Sequence, residues 1–352
     1  RLGTLAGRAA VDSLLTESDR PAAVVREALL AAWRLPHGAV TLANIVRWTT
    51  HADPETRWRA AYALARGSSA GAVPALLHII DDADYRVRSY AVRGMRAGRA
   101  DSAGVRERAL TALLAAARDS HPHVRINALQ LLAAYRSNDR TTPFLAEALA
   151  DPDANVAIAA AQGLGQARDP AASSALRLVT APGRPDGVRT TALHSWMRAD
   201  SASAVVTALQ WADSSRWLLR MHAARALAAA PSSEAAPALH ELARDPHYLV
   251  AAEALGSVRS IGDSIPAGRH LFIELLAASH PLVRAAAIRG LAAHVGAADM
   301  DLLLQAYDRA RQDSVRDAAA AAVVALARIR RTGMPVERSF FLRFGSQGAP
   351  RD

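Results

Sequence analysis

An arginine recurs beside an apolar residue along this chain, and twice an aspartate stands four residues earlier: Asp53 before Arg57 and Asp84 before Arg88. That spacing sets carboxylate and guanidinium on one helix face. The chemistry on offer is charge-assisted hydrogen bonding. Arg125, Arg189, Arg220, Arg284 and Arg316 hold the same place in the pattern. Together these residues are expected to form a structural ladder of hydrogen bonds at successive turns. Asp153 keeps the acid but meets Ala157, and Leu249-Val250 drops the arginine, so stacking is expected to be weaker at those two places.

Histidines gather at the turns: His51, His121, His123, His247 and His280. His121-Pro122-His123 is the nearest approach to a metal pair, but no third ligand shares a motif with it, so capping or solvent exposure is expected and no metal. No HExxH, Gly-rich phosphate loop or GxSxG is present. His194 and Ser195 are adjacent, and adjacent helical residues point apart, so they make no triad. No catalytic residue and no cofactor site is assigned. Trp211, Asp213, Arg216 and Trp217 surround one turn, with Trp196 in the preceding helix. Aromatics beside arginine have the composition of interface anchors, so these five are read as a partner-binding patch. Core packing of the tryptophans is the alternative. Affinity for a partner is expected to fall in Trp211→Ala or Trp217→Ala. Residues 96–104 are expected as an exposed loop with Arg93, Arg96 and Arg99 around it; a solvated basic face is the default reading there, and a docking site for an acidic partner is the alternative. Trp33, Trp48 and Trp58 lie near Arg47, Arg57 and Arg59 as a further aromatic cluster.

These side chains are positioned by a repeat. The second residues of the ten pairs (Arg26, Arg57, Arg88, Arg125, Ala157, Arg189, Arg220, Val250, Arg284, Arg316) are separated by 31, 31, 37, 32, 32, 31, 30, 34 and 32 residues. Each unit reads as helix A, a turn, and helix B. Residues 71–80 make one helix A, with Pro74 in its first turn, where a missing N–H costs nothing. Asp84 is placed to cap a helix B beginning at Tyr85. Apolar residues at i, i+3, i+4 and i+7 supply a shared core. The predicted fold class is all-α, an α-α superhelix of about ten two-helix repeats.

Composition narrows the function. There is no cysteine and no apolar run of eighteen residues. The net charge of +9 comes from arginine alone, since the chain has no lysine. Residues 1–100 hold 14 Arg against 9 acids, 101–327 hold 22 against 22, and 328–352 hold 6 against 2. A continuous phosphate-binding stripe is not what this distribution makes, so nucleic acid is disfavoured as a partner.

The repeated grammar resembles the HEAT-repeat family, in particular the short bacterial type labelled phycobilisome-lyase HEAT-like. Residues 1–331 are assigned to the solenoid and 332–352 to a tail or linker. Arg1-Leu2-Gly3 matches the close of a helix B such as Gly163-Leu164-Gly165, so the chain is expected to start inside a repeat and to be a fragment or processed product. Thr332-Gly333-Met334-Pro335 breaks the pattern, and Ser339-Phe340-Phe341-Leu342-Arg343-Phe344 is apolar enough to need burial. An Ala- and Arg-rich array closing this way resembles the N-terminal module of bacterial fusions of HEAT repeats to a cyclophilin-type peptidyl-prolyl isomerase. The resemblance implies a non-catalytic arm that binds a protein or peptide for a larger isomerase. It carries over no catalytic residue. HEAT-like alkylpurine DNA glycosylases, or other DNA-binding proteins of this build, are the alternative, and a bilin-handling lyase ranks last. Both the bacterial cytoplasm and the cell envelope are compatible with the sequence.

Overall fold

The computed structural model describes residues 5–17, 19–35, 42–135, 138–167, 169–261, 266–291 and 300–312, with single positions at 320, 322–324 and 327. Arg316, Arg1-Leu2-Gly3 and the tail 332–352 therefore lie outside the described residues. Among those described, all regular structure is helical, and the fold class is an all-α solenoid of two-helix repeats. The chain divides into two compact units, Arg1–Ala199 and Asp200–Asp352.

In the first unit, α1 (Leu5–Thr16) and α2 (Ala22–Ala32) form an A/B pair, followed by α3 (Leu42–Val46) and α4 (Pro54–Arg66). Next come α5 (Ala72–His78), α6 (Tyr85–Arg93) and a short extra helix α7 (Ala97–Ser102). The unit continues with α8 (Arg106–Ala116), α9 (Pro122–Leu132), α10 (Asn138–Ala148), α11 (Ala154–Leu164), α12 (Pro170–Val179) and α13 (Asp186–Ala199). The second unit holds α14 (Ser201–Ala212), α15 (Trp217–Leu227), α16 (Ser232–Leu242), α17 (Tyr248–Ser260), α18 (Pro266–Leu275), α19 (Pro281–Leu291) and α20 (Met300–Gln312).

The B helices α4, α6 and α11 start at an aspartate cap. Asp53 accepts from the Glu55 and Thr56 N–H groups at 3.3 and 2.9 Å, and Asp84 accepts from the Arg86 N–H at 2.8 Å. Each thereby satisfies donors that the first helical turn leaves without partners. Asp153 and Asp169 do the same for α11 and α12. Within the first unit, the B helices α2, α4, α6, α9, α11 and α13 pack side by side much more closely than the A helices do. Small residues permit that approach. Ala60, Ala61, Ala91, Ala128 and Ala160 are fully buried along the row, with Leu29, Leu64, Leu129 and Leu164 filling between them. Each such leucine contributes about 1.5–3 kcal/mol by leaving water.

One expectation about the path of the chain is corrected. Residues 96–104 were expected as an exposed loop, but Ala97–Ser102 is a helical turn and a half, closed by Gly104 at φ +67. Glycine takes that left-handed conformation without a Cβ penalty. Arg99 explains why the segment is held down. Its guanidinium donates to the carbonyls of Leu64, Ala65 and Ser69 at 3.1, 3.0 and 2.7 Å. Those of Leu64 and Ala65 lie in the last turn of α4, where carbonyls lack helical partners.

Candidate functional site

The recurring arginine makes the same contacts at several turns. Arg57, Arg88, Arg125 and Arg220 each present Nε and Nη2 as a fork to one carboxylate, respectively Asp82, Asp119, Asp151 and Asp245, at 2.6–3.0 Å. Nη1 of each donates to two backbone carbonyls of its own turn, as Arg88 does to Asp82 and Ala83 at 2.7 and 3.1 Å. The accepting aspartate also takes the backbone N–H two residues ahead, as Asp119 does from His121 at 2.8 Å. One arginine thus ties its own turn to the turn of the following repeat. Arg26 reaches Asp53 in a simpler version, at 2.8 Å.

The partner differs from the one the local spacing suggests. Asp53 and Asp84 were paired with Arg57 and Arg88 four residues on. Instead, Asp53 holds Arg26 and caps α4, and Asp84 caps α6 and pairs with Arg86 at 2.7 Å. A carboxylate occupied by the backbone at a helix start is already turned away from the fourth residue. Arg189 is buried and donates to Thr180 O at 3.0 Å, with Asp186 at 3.5 Å. Arg284 donates to the carbonyls of Ala278 and Ser279 at 2.8 and 2.7 Å.

The aspartates feel these contacts. The Thr56 hydroxyl bond is the chief cause holding the Asp53 carboxyl well below the usual range, with burial opposing it and Arg26 adding to the depression. For Asp119 and Asp245, burial pushes upward. The bonds from Arg88 and Arg220 and from the His121 and His247 backbones outweigh it, so both are lowered.

The two junctions without an arginine are not loosened. Ala157 and Val250 are buried. The position three residues before the next B helix, aspartate before α6, α9, α11 and α17, is Gly183 and Ala278 here. Donor and acceptor are therefore missing together. The helix pairs α11–α13 and α17–α19 pack at least as closely as any pair that has a rung. Gly165 shows how: a Cβ there would sit 2.7 Å from Ser195 Cβ and 2.9 Å from its Cα. Apolar contact replaces the ionic rung, so the expected weakness at these places is not found.

The turn histidines are caps and stacking plates. His51, His121 and His280 accept backbone N–H groups through Nδ1 at 3.1, 3.3 and 3.2 Å. His121 lies flat on Tyr85 at 3.6 Å, His247 on Trp217 at 4.1 Å, and His280 on Tyr248 at 3.8 Å. Each ring thus joins one repeat to the next. Among the described residues, no group of three or more His, Asp or Glu gathers to hold a metal. A groove of about 610 Å³ runs beside Tyr85 and His121, but its Arg57 and Arg88 are already committed to Asp82 and Asp119.

The proposed tryptophan patch is largely interior. Trp196 and Trp211 are 3% and 7% exposed. Their indoles are core of the first and second unit respectively. Trp217 is 39% exposed but engaged with His247, while Asp213 and Arg216 are exposed. Of the arginines around residues 96–104, Arg99 is the clamp described above. Arg96 is exposed at the start of α7, and Arg93 is exposed over the Tyr90 ring at 5.8 Å.

A different cluster stands out on the B-helix row of the first unit. Trp33, Trp58, Tyr62 and Tyr90, from the end of α2 and from α4 and α6, interlock. Tyr62 meets Trp33, Trp58 and Tyr90 edge to face at 6.1, 6.3 and 5.1 Å, and Trp58 stacks on Tyr90 at 5.9 Å. All four rings are half-buried. Arginines cover them: Arg34 and Arg66 over Trp33 at 5.1 and 4.2 Å, and Arg59 and Arg86 over Trp58 at 5.2 and 5.7 Å. Trp48, grouped with them in sequence, is core beside α1 and donates to Leu15 O at 2.9 Å. Tyr62, Tyr90 and Arg66 were not singled out from sequence. The available signal was Trp58 and Tyr62 at i, i+4, with Tyr90 and Arg93 one repeat on.

A profile described as HEAT repeats matches residues 11–96 and 110–197. No curated protein matches the sequence. Among solved structures, this chain is 14% identical, at a TM-score of 0.62, to a chain in a structure of Kap95p binding that induces the switch loops of RanGDP to adopt the GTP-bound conformation. That alignment covers 96% of this chain and 51% of the other. A homology model of the full-length AP-3 complex in an intermediate open conformation matches at 12% identity and TM-score 0.56, over 82% of this chain and 57% of its own. The chain thus spans about half the length of these neighbours, and at such identities the likeness is one of fold.

Proposed function

We propose that this chain is a non-catalytic interaction module that holds a protein or peptide on its row of B helices. The observation that carries the reading is the half-exposed Trp33, Trp58, Tyr62 and Tyr90 cluster under its arginines. Aromatic and arginine side chains are what protein-binding surfaces concentrate. HEAT-repeat neighbours named for protein assemblies agree with it. The finer reading, a recognition arm for a cyclophilin-type peptidyl-prolyl isomerase, rests on the resemblance of the array and its closing sequence alone. It predicts that a longer parent protein isomerises X-Pro bonds and that this chain by itself does not.

The test is site-specific photo-crosslinking from Tyr62 or Tyr90 in extracts of the source cells, against Leu178, exposed on the A helix α12. Protease-sensitive adducts at the B-helix positions and not at Leu178 are expected. Adducts destroyed by nuclease would favour the DNA-binding alternative, and adducts at Leu178 alone would move the surface to the other face.

A further inference from the structure

Three arginines of the cluster differ from the rest. Arg57 and Arg88 are locked to aspartates, while Arg59 and Arg86 share Glu55 at 3.2 and 2.8 Å. Arg34, Arg66 and Arg93 are exposed, and among the described residues no carboxylate pairs with any of them. Each is instead laid over a ring: Arg34 and Arg66 over Trp33, Arg66 also over Tyr62 at 5.8 Å, and Arg93 over Tyr90. A guanidinium held by an aromatic ring loses little further freedom when its N–H edge meets an anion. The three stand at the C-terminal ends of the successive B helices α2, α4 and α6. The negative end of each helix dipole favours a cation there and offsets the repulsion between neighbours.

We propose that this edge is a docking strip for an extended acidic peptide segment, whose Asp or Glu side chains take the free edges of Arg34, Arg66 and Arg93. This rests on the B-helix reading above and deepens it by naming the chemistry of the partner. Charge complementarity selects the occupant: three uncompensated guanidiniums in a row, with aromatic rings between them for the peptide's apolar atoms. Geometry sets its pattern. Neighbouring packed helices lie about 8–10 Å apart, and a segment extended as polyproline II advances about 3.1 Å per residue with three residues per turn, so every third side chain returns to one face. Carboxylates at every third residue match the strip. Carboxylate and phosphate share this anion chemistry, and both are met by an arginine fork. The low-density, three-point array suits spaced carboxylates, since nucleic acid would ask for a continuous basic stripe, which the neutral 101–327 stretch does not extend.

The experiment uses the 352-residue chain and fluorescein-labelled decapeptides in anisotropy titrations. One peptide carries Glu at positions 2, 5 and 8 in a Gly/Ser/Ala background. Others carry Gln or phosphoserine at the same places, and duplex DNA is a further probe. The Glu peptide is expected to bind at least tenfold tighter than the Gln peptide and to weaken as salt rises. The R34Q/R66Q/R93Q variant should lose at least tenfold, with each single change losing part. R118Q, an exposed arginine paired with Glu147 between α8 and α10, should bind like the parent chain. Circular dichroism verifies that the triple variant remains helical, and the three single variants serve if it does not. Equal affinity for Glu and Gln peptides, indifference to the three substitutions, or tenfold preference for phosphoserine or DNA each overturns the proposal. Persistent Tyr62 and Tyr90 crosslinks to protein in that event would leave the B-helix surface standing and remove only its acidic specificity. Loss of both would remove the surface as well.

Discussion

At the scale of single residues, the rung formed by Arg88 and Asp119 shows what the recurring arginine does. The side chains are 14% and 12% exposed, so the pair is screened from water far more than a surface ion pair. Removing one partner strands the other beside unpaired backbone groups. Arg88→Ala is expected to cost about 2 kcal/mol in urea denaturation, within the range for breaking charged hydrogen bonds. Arg88→Lys should cost about half as much, since it keeps the charge but loses the fork. Asp119→Ala should match Arg88→Ala, and the double variant should fall short of the sum by about 1 kcal/mol or more. Additive losses would mean that the fork carries no energy of its own. The tryptophans separate in the same way: Trp211→Ala empties core and is expected to cost about 3–5 kcal/mol, whereas Trp217→Ala removes a partly exposed plate stacked on His247 and should cost about 0.5–1.5 kcal/mol.

At the scale of elements, small residues decide how near one helix comes to the next. A methyl group on Gly165 would meet Ser195 backbone atoms, Cα at 2.9 Å and O at 3.0 Å, which cannot swing aside. Gly165→Ala is therefore expected to destabilise the α11–α13 contact by about 1–3 kcal/mol. Gly98, inside α7, has nothing within 4 Å of its missing Cβ. There the same substitution should stabilise by up to about 1 kcal/mol through helix propensity. Parallel melts of the two variants check the contrast, and equal shifts would sink it. The helices themselves were readable because their signals are local. Asp84 before Tyr85 and Pro170 after Asp169 mark helix starts within a few residues. Helix α7 was missed because Ala97-Gly98-Arg99-Ala100-Asp101-Ser102 has no apolar period, and its order comes from Arg99 gripping carbonyls some 30 residues earlier. The rung partners were misassigned for the same reason. Asp82 lies 25 residues beyond Arg57, and only stacking brings them together. The Trp33–Tyr62–Tyr90 cluster likewise spans three repeats, so no single window of sequence contains it.

At the scale of the whole molecule, the array carries two kinds of joint, and they should respond differently to acid. Ionic rungs join α2–α4, α4–α6, α6–α9, α9–α11 and α15–α17 through Arg26, Arg57, Arg88, Arg125 and Arg220. Apolar contact takes the place of the rung at α11–α13 and α17–α19. The carboxyls of Asp53, Asp119 and Asp245 are depressed in the folded chain. Their contribution is fully present above the ordinary carboxylate value of about 4 and is lost as pH falls through the lower folded value. In a repeat array each unit leans chiefly on its neighbours, so such a loss stays local. Hydrogen exchange corrected for intrinsic rates should show α4, α6, α9 and α15 losing protection first as pH drops from 7 to about 3. The α11–α13 and α17–α19 pairs should hold theirs longest. Moving an ionic rung to an apolar joint needs both partners: Ala157→Arg alone should destabilise, because Gly183 offers no carboxylate and the longer side chain overpacks a buried site. If acid instead releases all helices together, or α11–α13 first, the rungs do not set the order in which the array comes apart.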